Sequence, residues 1–127
     1  MTDAQGNRAR ALVVEDEALI AMMIEEMLTD LDCGISGIAG SVAEALQMAE
    51  QHEIDFAILD LNVAGGQTYP VADVLVQRGI PVIFASGGHQ AMADYPDALQ
   101  LPKPFSFHDL SKAVDGVLSR TQSPRPA

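Results

Sequence analysis

Four short apolar runs, each closing on a polar or ionisable residue, constrain this chain more than any other feature. Ala11-Leu-Val-Val14 runs into Glu15-Asp16-Glu17, and Phe56-Ala-Ile-Leu59 runs into Asp60. Pro81-Val-Ile-Phe-Ala85 closes on Ser86, and the run from Ala98 to Leu101 closes near Lys103. Runs of this kind suit buried strands, and open α/β sheets carry their sites at the carboxyl ends of such strands. Two of these tips bring carboxylates, a place for a divalent cation. Hard oxygen ligands in such a cluster suit Mg2+, which keeps several waters and commonly shares its shell with a phosphoryl group. With the hydroxyl and the ammonium of the other two tips, the set contains the parts a phosphoryl-transfer site needs.

Length and composition agree with one compact domain. The chain has 127 residues, close to the commonest domain size, and 48% of them are apolar, enough for a core that needs no staples. The single cysteine, Cys33, has no partner for an internal bridge, and the start lacks a basic segment followed by an apolar one. A reducing cytoplasm is therefore the expected location, and no apolar stretch approaches the length of a membrane span. Lys plus Arg number 7 against 18 Asp plus Glu, and the resulting net charge of −11 argues against the phosphate attraction on which nucleic-acid binding leans.

Between the strands the periodicity switches to that of amphipathic helices, the pattern of a parallel sheet covered on both faces. Leu19/Ile20, Met23/Ile24, Met27/Leu28 and Leu31 form a helical stripe that stops around Cys33-Gly34, and Met22, Met23, Met27 and Met48 are expected mostly in the core. Gly34 to Ala39 reads as a short strand despite Ser36 and Gly37. Ser41-Val-Ala-Glu44 is a capping-box signature that opens a second helix running to about His52. Asn62 to Thr68 is a loop by its glycines, and Pro70 fits the first turn of a third helix ending before Gly79. The stretch from Gly87 to Asp97 leaves room for about two turns of helix around His89 to Asp94. Ser106-Phe-His-Asp109 caps a last helix whose stripe is Phe107, Leu110, Ala113/Val114 and Val117/Leu118. Residues 1–9 and the tail from Ser119 are expected to be flexible. His52, His89 and His108 share no metal-ligand spacing, and Cys33 reads as a packing residue.

Taken in order, these residues resemble the receiver domain of two-component response regulators over residues 10–119, which looks like a stand-alone receiver without an output domain. The resemblance implies an α/β, flavodoxin-like, doubly wound five-stranded parallel sheet, here with a shortened fourth helix. In such receivers an acidic pair after the first strand matches Glu15 and Asp16, and the phosphoacceptor aspartate after the third matches Asp60. Ser86 matches the hydroxyl residue after the fourth strand, and Lys103-Pro104, followed by Phe105, matches the Lys-Pro pair after the fifth, usually joined by a cis bond. By the same resemblance Asp16 and Asp60 ligate Mg2+ directly, Glu15 does so directly or through water, and Asn62 adds its backbone carbonyl. Asp60 then attacks the phosphohistidine of a sensor histidine kinase, or exchanges with a histidine phosphotransfer protein, while Ser86 and Lys103 hold the phosphoryl oxygens. Such a protein catalyses only its own phosphorylation and dephosphorylation, and signals to a downstream protein by contact or through a phosphorelay. Glu17 is expected to point away from this cluster.

The chain departs from the pattern in two places. Many receivers carry Tyr or Phe three residues before the lysine, as an aromatic switch, where this chain has Gln100. The segment between Ser86 and Lys103 is also shorter than usual. Phe84-Ala-Ser-Gly87 with Leu101-Pro-Lys-Pro104 looks like a single-domain subgroup with an F-A-T-G type motif, Ser replacing Thr. The alternatives are a receiver fold kept as a non-switching binding module or phosphate sink, and a flavodoxin-like enzyme or nucleotide binder. The last would need a glycine- or hydroxyl-rich loop after the first strand, where Glu15-Asp16-Glu17 instead repels phosphate.

Overall fold

A computed structural model describes residues 8–86, 95 and 97–122, with Ser86 and residues 120–122 as backbone alone. Five strands, β1 (Arg10–Val14), β2 (Gly34–Ala39), β3 (Phe56–Asp60), β6 (Val82–Ser86) and β7 (Leu99–Pro102), form one parallel sheet in the order β2-β1-β3-β6-β7. A small antiparallel pair, β4 (Asn62–Val63) and β5 (Gly66–Gln67), lies in the connection that the glycines of the sequence mark as a loop. The helices are α1 (Ala18–Asp30), α2 (Val42–Gln51), α3 (Tyr69–Gln77) and α4 (Phe107–Gln122). The chain leaves β1 toward opposite sides to form β2 and β3, so the strand order reverses between β1 and β3 and opens a crevice at their carboxyl ends.

Alternation along each strand supplies two cores. Leu12, Val14, Ala57, Leu59 and Phe84 face α2 and α3, while Ala11, Val13, Phe56, Ile58 and Ile83 face α1 and α4. All ten are buried, as expected where helices cover both faces of a parallel sheet. Fully burying one of the larger aliphatic or aromatic side chains stabilises the fold by about 2 kcal/mol.

α1 is narrower in its buried stripe than the periodicity suggests. Ala21, Ile24 and Leu28 are buried, whereas Leu19, Met22 and Met23 are 74%, 59% and 45% exposed. At 3.6 residues per turn these three lie roughly 100° or more around the helix from Ile24, beyond the sector that reaches the sheet. The core assignment of Met22 and Met23 is therefore wrong, while Met27 and Met48 are partly buried at the core margin. Just past the end of α1 stands Asp32, whose φ of 60° lies in the left-handed region, and Cys33 N–H reaches back to Leu28 C=O at 2.9 Å. Gly34 has no part in that turn. Asp is among the few residues other than glycine that visit this conformation routinely.

β2 carries a glycine at position 37 where α2 lies close over it. A Cβ at Gly37 would meet Met48 Sδ at 2.8 Å and the His52 ring at 3.3 Å. Ser41 caps α2 by accepting from Glu44 N–H at 3.2 Å, and Glu44 returns to Gly40 N–H at 3.2 Å rather than to Ser41 N–H. At the other end of α2, the Arg78 guanidinium donates to the carbonyls of Ala49 and His52. Ser106 and Asp109 form a fully reciprocal capping box on α4, at 3.1 and 3.0 Å. The hydrogen bond from Ser106 N–H holds the Asp109 carboxyl below its ordinary pKa.

The described structure includes residues on either side of 10–119. Arg8 pairs with Asp32 at 3.0 Å, and Ala9 is buried with its carbonyl accepting from Gly34 N–H at 2.8 Å. α4 runs on to Gln122, so Ser119 to Gln122 are helical. The short helix expected at His89 to Asp94 lies outside the described residues. No helix of the described residues is long and apolar enough to cross a membrane.

Candidate functional site

Sheet register brings the predicted residues to one place. Val14 pairs with Leu59, so Glu15 and Asp60 each stand one step beyond a shared rung at the crevice between β1 and β3. Asp60 in turn pairs with Ala85, which puts Ser86 one step further along β6, beside Pro102 of β7. One carboxylate oxygen from each of Glu15, Asp16 and Asp60 lies within 4.8 Å of the others. Glu15 is buried, Asp60 is partly buried and Asp16 is exposed, so the cluster opens to solvent on the Asp16 side.

Lys103 completes the group from the far edge of the sheet. Its Nζ donates to Glu15 Oε1 at 2.9 Å and to Asp60 Oδ2 at 3.0 Å. The peptide bond that follows, Lys103-Pro104, is cis, as the resemblance implies. Burial alone lowers the lysine pKa, but the hydrogen bonds to Glu15 and Asp60 together with the charge of both acids outweigh it and hold the ammonium above its ordinary value. The second oxygens of the two acids are occupied locally. Glu15 Oε2 accepts from Glu17 N–H at 3.1 Å, and Asp60 Oδ1 accepts from Asn62 N–H at 3.3 Å. Asp16 has no ion-pair partner among the described residues.

The charges suit a divalent cation. Three carboxylates against one ammonium leave two negative charges in a cluster of hard oxygen donors, which fits Mg2+. Asn62 starts β4 directly after Leu61, with its backbone held by pairing to Gln67. Glu17 is exposed and stands at the N-cap of α1, outside the carboxylate cluster as expected. His52 lies away from the site, against Ser36 C=O at 3.0 Å. Gln100 sits on β7 opposite Phe84, with its side chain exposed. The Ser86 side chain and His89 lie outside the described residues.

Two features escape a reading of the sequence. Thr68 is wholly buried, and its hydroxyl donates to Asp60 C=O at 2.8 Å. A threonine before Tyr-Pro at a helix start signals an N-cap, which hides this use of it. The second is an aromatic trio at the amino end of α3. Tyr69 and Tyr95 stack with centroids 5.8 Å apart, and Phe84 meets Tyr95 edge-on at 5.4 Å. The Tyr95 hydroxyl donates to Asp73 Oδ1 at 2.7 Å. Such a cluster joins a strand, a helix and a loop, so no local pattern announces it.

The chain is similar to known proteins. The family model of the response regulator receiver domain matches residues 11–115. The transcriptional regulatory protein PdtaR of Mycobacterium tuberculosis is 33% identical over 117 residues, 87% of this chain and 57% of that protein. The phyllosphere-induced regulator PhyR of Methylorubrum extorquens is 31% identical over 120 residues, 90% of this chain and 45% of that protein. The chain thus spans about half the length of these curated relatives. The solution structure of SdrG from Sphingomonas melonis Fr1 superposes with a TM-score of 0.76 at 42% identity, covering 87% of this chain and 97% of that one. With the family model matching residues 11–115, most of its length, the chain belongs to the family of response regulator receiver domains.

Proposed function

We propose that residues 10–119 form a phosphoryl-accepting unit in which Asp60 is the phosphoacceptor. The observation that carries this reading is the Lys103 ammonium set between Glu15 and Asp60 at the crevice. A carboxylate and a phosphoryl group are both anionic, so attack requires charge neutralisation first. Lys103 provides part of it. Glu15, Asp16, Asp60 and the Asn62 carbonyl would hold Mg2+, which when bound neutralises phosphoryl oxygens. An Asp60 oxygen lone pair forms the new O–P bond in line as the P–N bond of a phosphohistidine breaks, its electron pair leaving with the imidazole nitrogen. Ser86 and Lys103 then hold the phosphoryl oxygens of the acyl phosphate, and attack by water resets the site.

The donor is a sensor histidine kinase or a histidine phosphotransfer protein, and the phosphorylated form acts on a downstream protein or along a relay in the cytoplasm. Phe84-Ala-Ser-Gly87 supports a kinship with receivers that carry an F-A-T-G type motif, Ser86 standing for the threonine. Incubation with acetyl phosphate and Mg2+ tests the assignment. One phosphoryl mass is added to the wild type and none to Asp60→Asn, and labelling that survives in the variant overturns it.

A further inference from the structure

Thr68 holds the N-cap position of α3 without capping it. A threonine there ordinarily accepts from an N–H of the first helical turn, but this side chain makes no such bond. The hydroxyl is turned the other way, donating to Asp60 C=O at 2.8 Å and lying 3.5 Å from Leu61 C=O. Its own N–H donates to Leu61 C=O at 3.0 Å. One wholly buried residue therefore fastens the far end of the β4–β5 hairpin to Asp60 and Leu61, the two residues that precede it.

Those two bonds bear on the site directly. The Asp60 carbonyl defines the peptide plane that follows Asp60, and fixing that plane limits how far the backbone carrying the carboxylate can rotate. Beyond it, Asn62 N–H donates to Asp60 Oδ1 at 3.3 Å, and Asn62 pairs with Gln67, the neighbour of Thr68. The Asp60 backbone, one oxygen of its carboxylate and the Asn62 backbone thus belong to one loop tied off at Thr68. In-line attack is sensitive to such placement, since an error of about 1 Å in a reacting group costs as much as a hundredfold in rate.

We propose that Thr68 is a positioning residue for the phosphoacceptor: its buried hydroxyl aims the Asp60 carboxylate and holds the Asn62 backbone in register with it. The proposal rests on the reading of Asp60 as phosphoacceptor and goes beyond it. Thr68 touches neither phosphoryl group nor metal in this role.

Three variants test it, Thr68→Val, which keeps the shape and removes the donor, Thr68→Ser, which keeps the donor, and Thr68→Ala. Two quantities are read: the maximal rate of labelling by acetyl phosphate at saturating Mg2+, and the Mg2+ dissociation constant by titration calorimetry. The rate decides wherever the wild type is labelled. Thr68→Val is expected to label about tenfold more slowly or worse, with Thr68→Ser within about threefold of wild type. A valine variant labelled as fast as wild type overturns the proposal. Should the valine variant fail to fold, the Ser and Ala pair reads the same question: a slower alanine variant supports the role and equal rates overturn it. A wild type that binds Mg2+ but takes no label refutes the Asp60 reading instead, and Thr68 is then judged on whether its valine variant binds Mg2+ more weakly.

Discussion

Lys103 and Glu15 stand 88 positions apart in the chain, and their charged atoms meet at 2.9 Å. The glutamate side chain is almost wholly buried and the lysine largely so. Such a pair is a poor source of net stability when intact, because desolvation offsets the attraction, but losing one partner strands the other. Lys103→Met is therefore expected to destabilise the fold by about 3 kcal/mol, as it leaves Glu15 unpaired. Added Mg2+ should recover part of that loss by supplying another positive charge. Urea unfolding of wild type and variant, with and without Mg2+, measures both effects, and a variant as stable as wild type refutes the stranded-charge account.

Mg2+ should stabilise the wild type by about 1.4 kcal/mol at ten times its dissociation constant, a shift of a few degrees in melting temperature. Asp16 offers the sharpest control. It is exposed, so Asp16→Asn should unfold close to wild type without the ion yet lose most of the Mg2+ shift. Thermal melts over a range of Mg2+ concentrations decide this, and an unchanged shift in the variant would exclude Asp16 as a ligand.

Acid should loosen the start of α4. The Asp109 carboxyl titrates below its ordinary range in the folded chain, chiefly because it accepts from Ser106 N–H. A depressed carboxyl contributes stability that is present above its unfolded pKa and disappears as pH falls through the folded one. Protection of the first-turn amides of α4 should thus decline below about pH 4, and Asp109→Asn should remove that dependence. Hydrogen exchange across the acid range is the measurement, and an identical decline in the asparagine variant would assign it elsewhere.

The parts of the site that depend on strand tips were legible because a buried strand must be apolar until it emerges, so the first charge after it marks the exit. Glu15, Asp60 and Lys103 follow that rule, and parallel register then brings them together. α1 was harder, since an apolar residue such as Leu19 or Met22 counts toward a stripe whether or not the sheet lies on its side. Asp32 was hidden by the nearby Gly34, the more familiar helix stop. Thr68 was opaque for a different reason. Its residue type announces a cap, and only the path of the loop shows that the hydroxyl faces Asp60.

The aromatic trio gives the chain an optical property. It contains no tryptophan and two tyrosines, and both belong to one stack beside Phe84, with a carboxylate on the hydroxyl of Tyr95. Its tyrosine emission therefore arises wholly from that cluster, whose Phe84 lies two positions before Ser86 on β6 and whose Tyr69 is next in sequence to Thr68. A carboxylate hydrogen-bonded to a phenol quenches its fluorescence, so parting Tyr95 from Asp73 should brighten the tyrosine emission of the unlabelled chain.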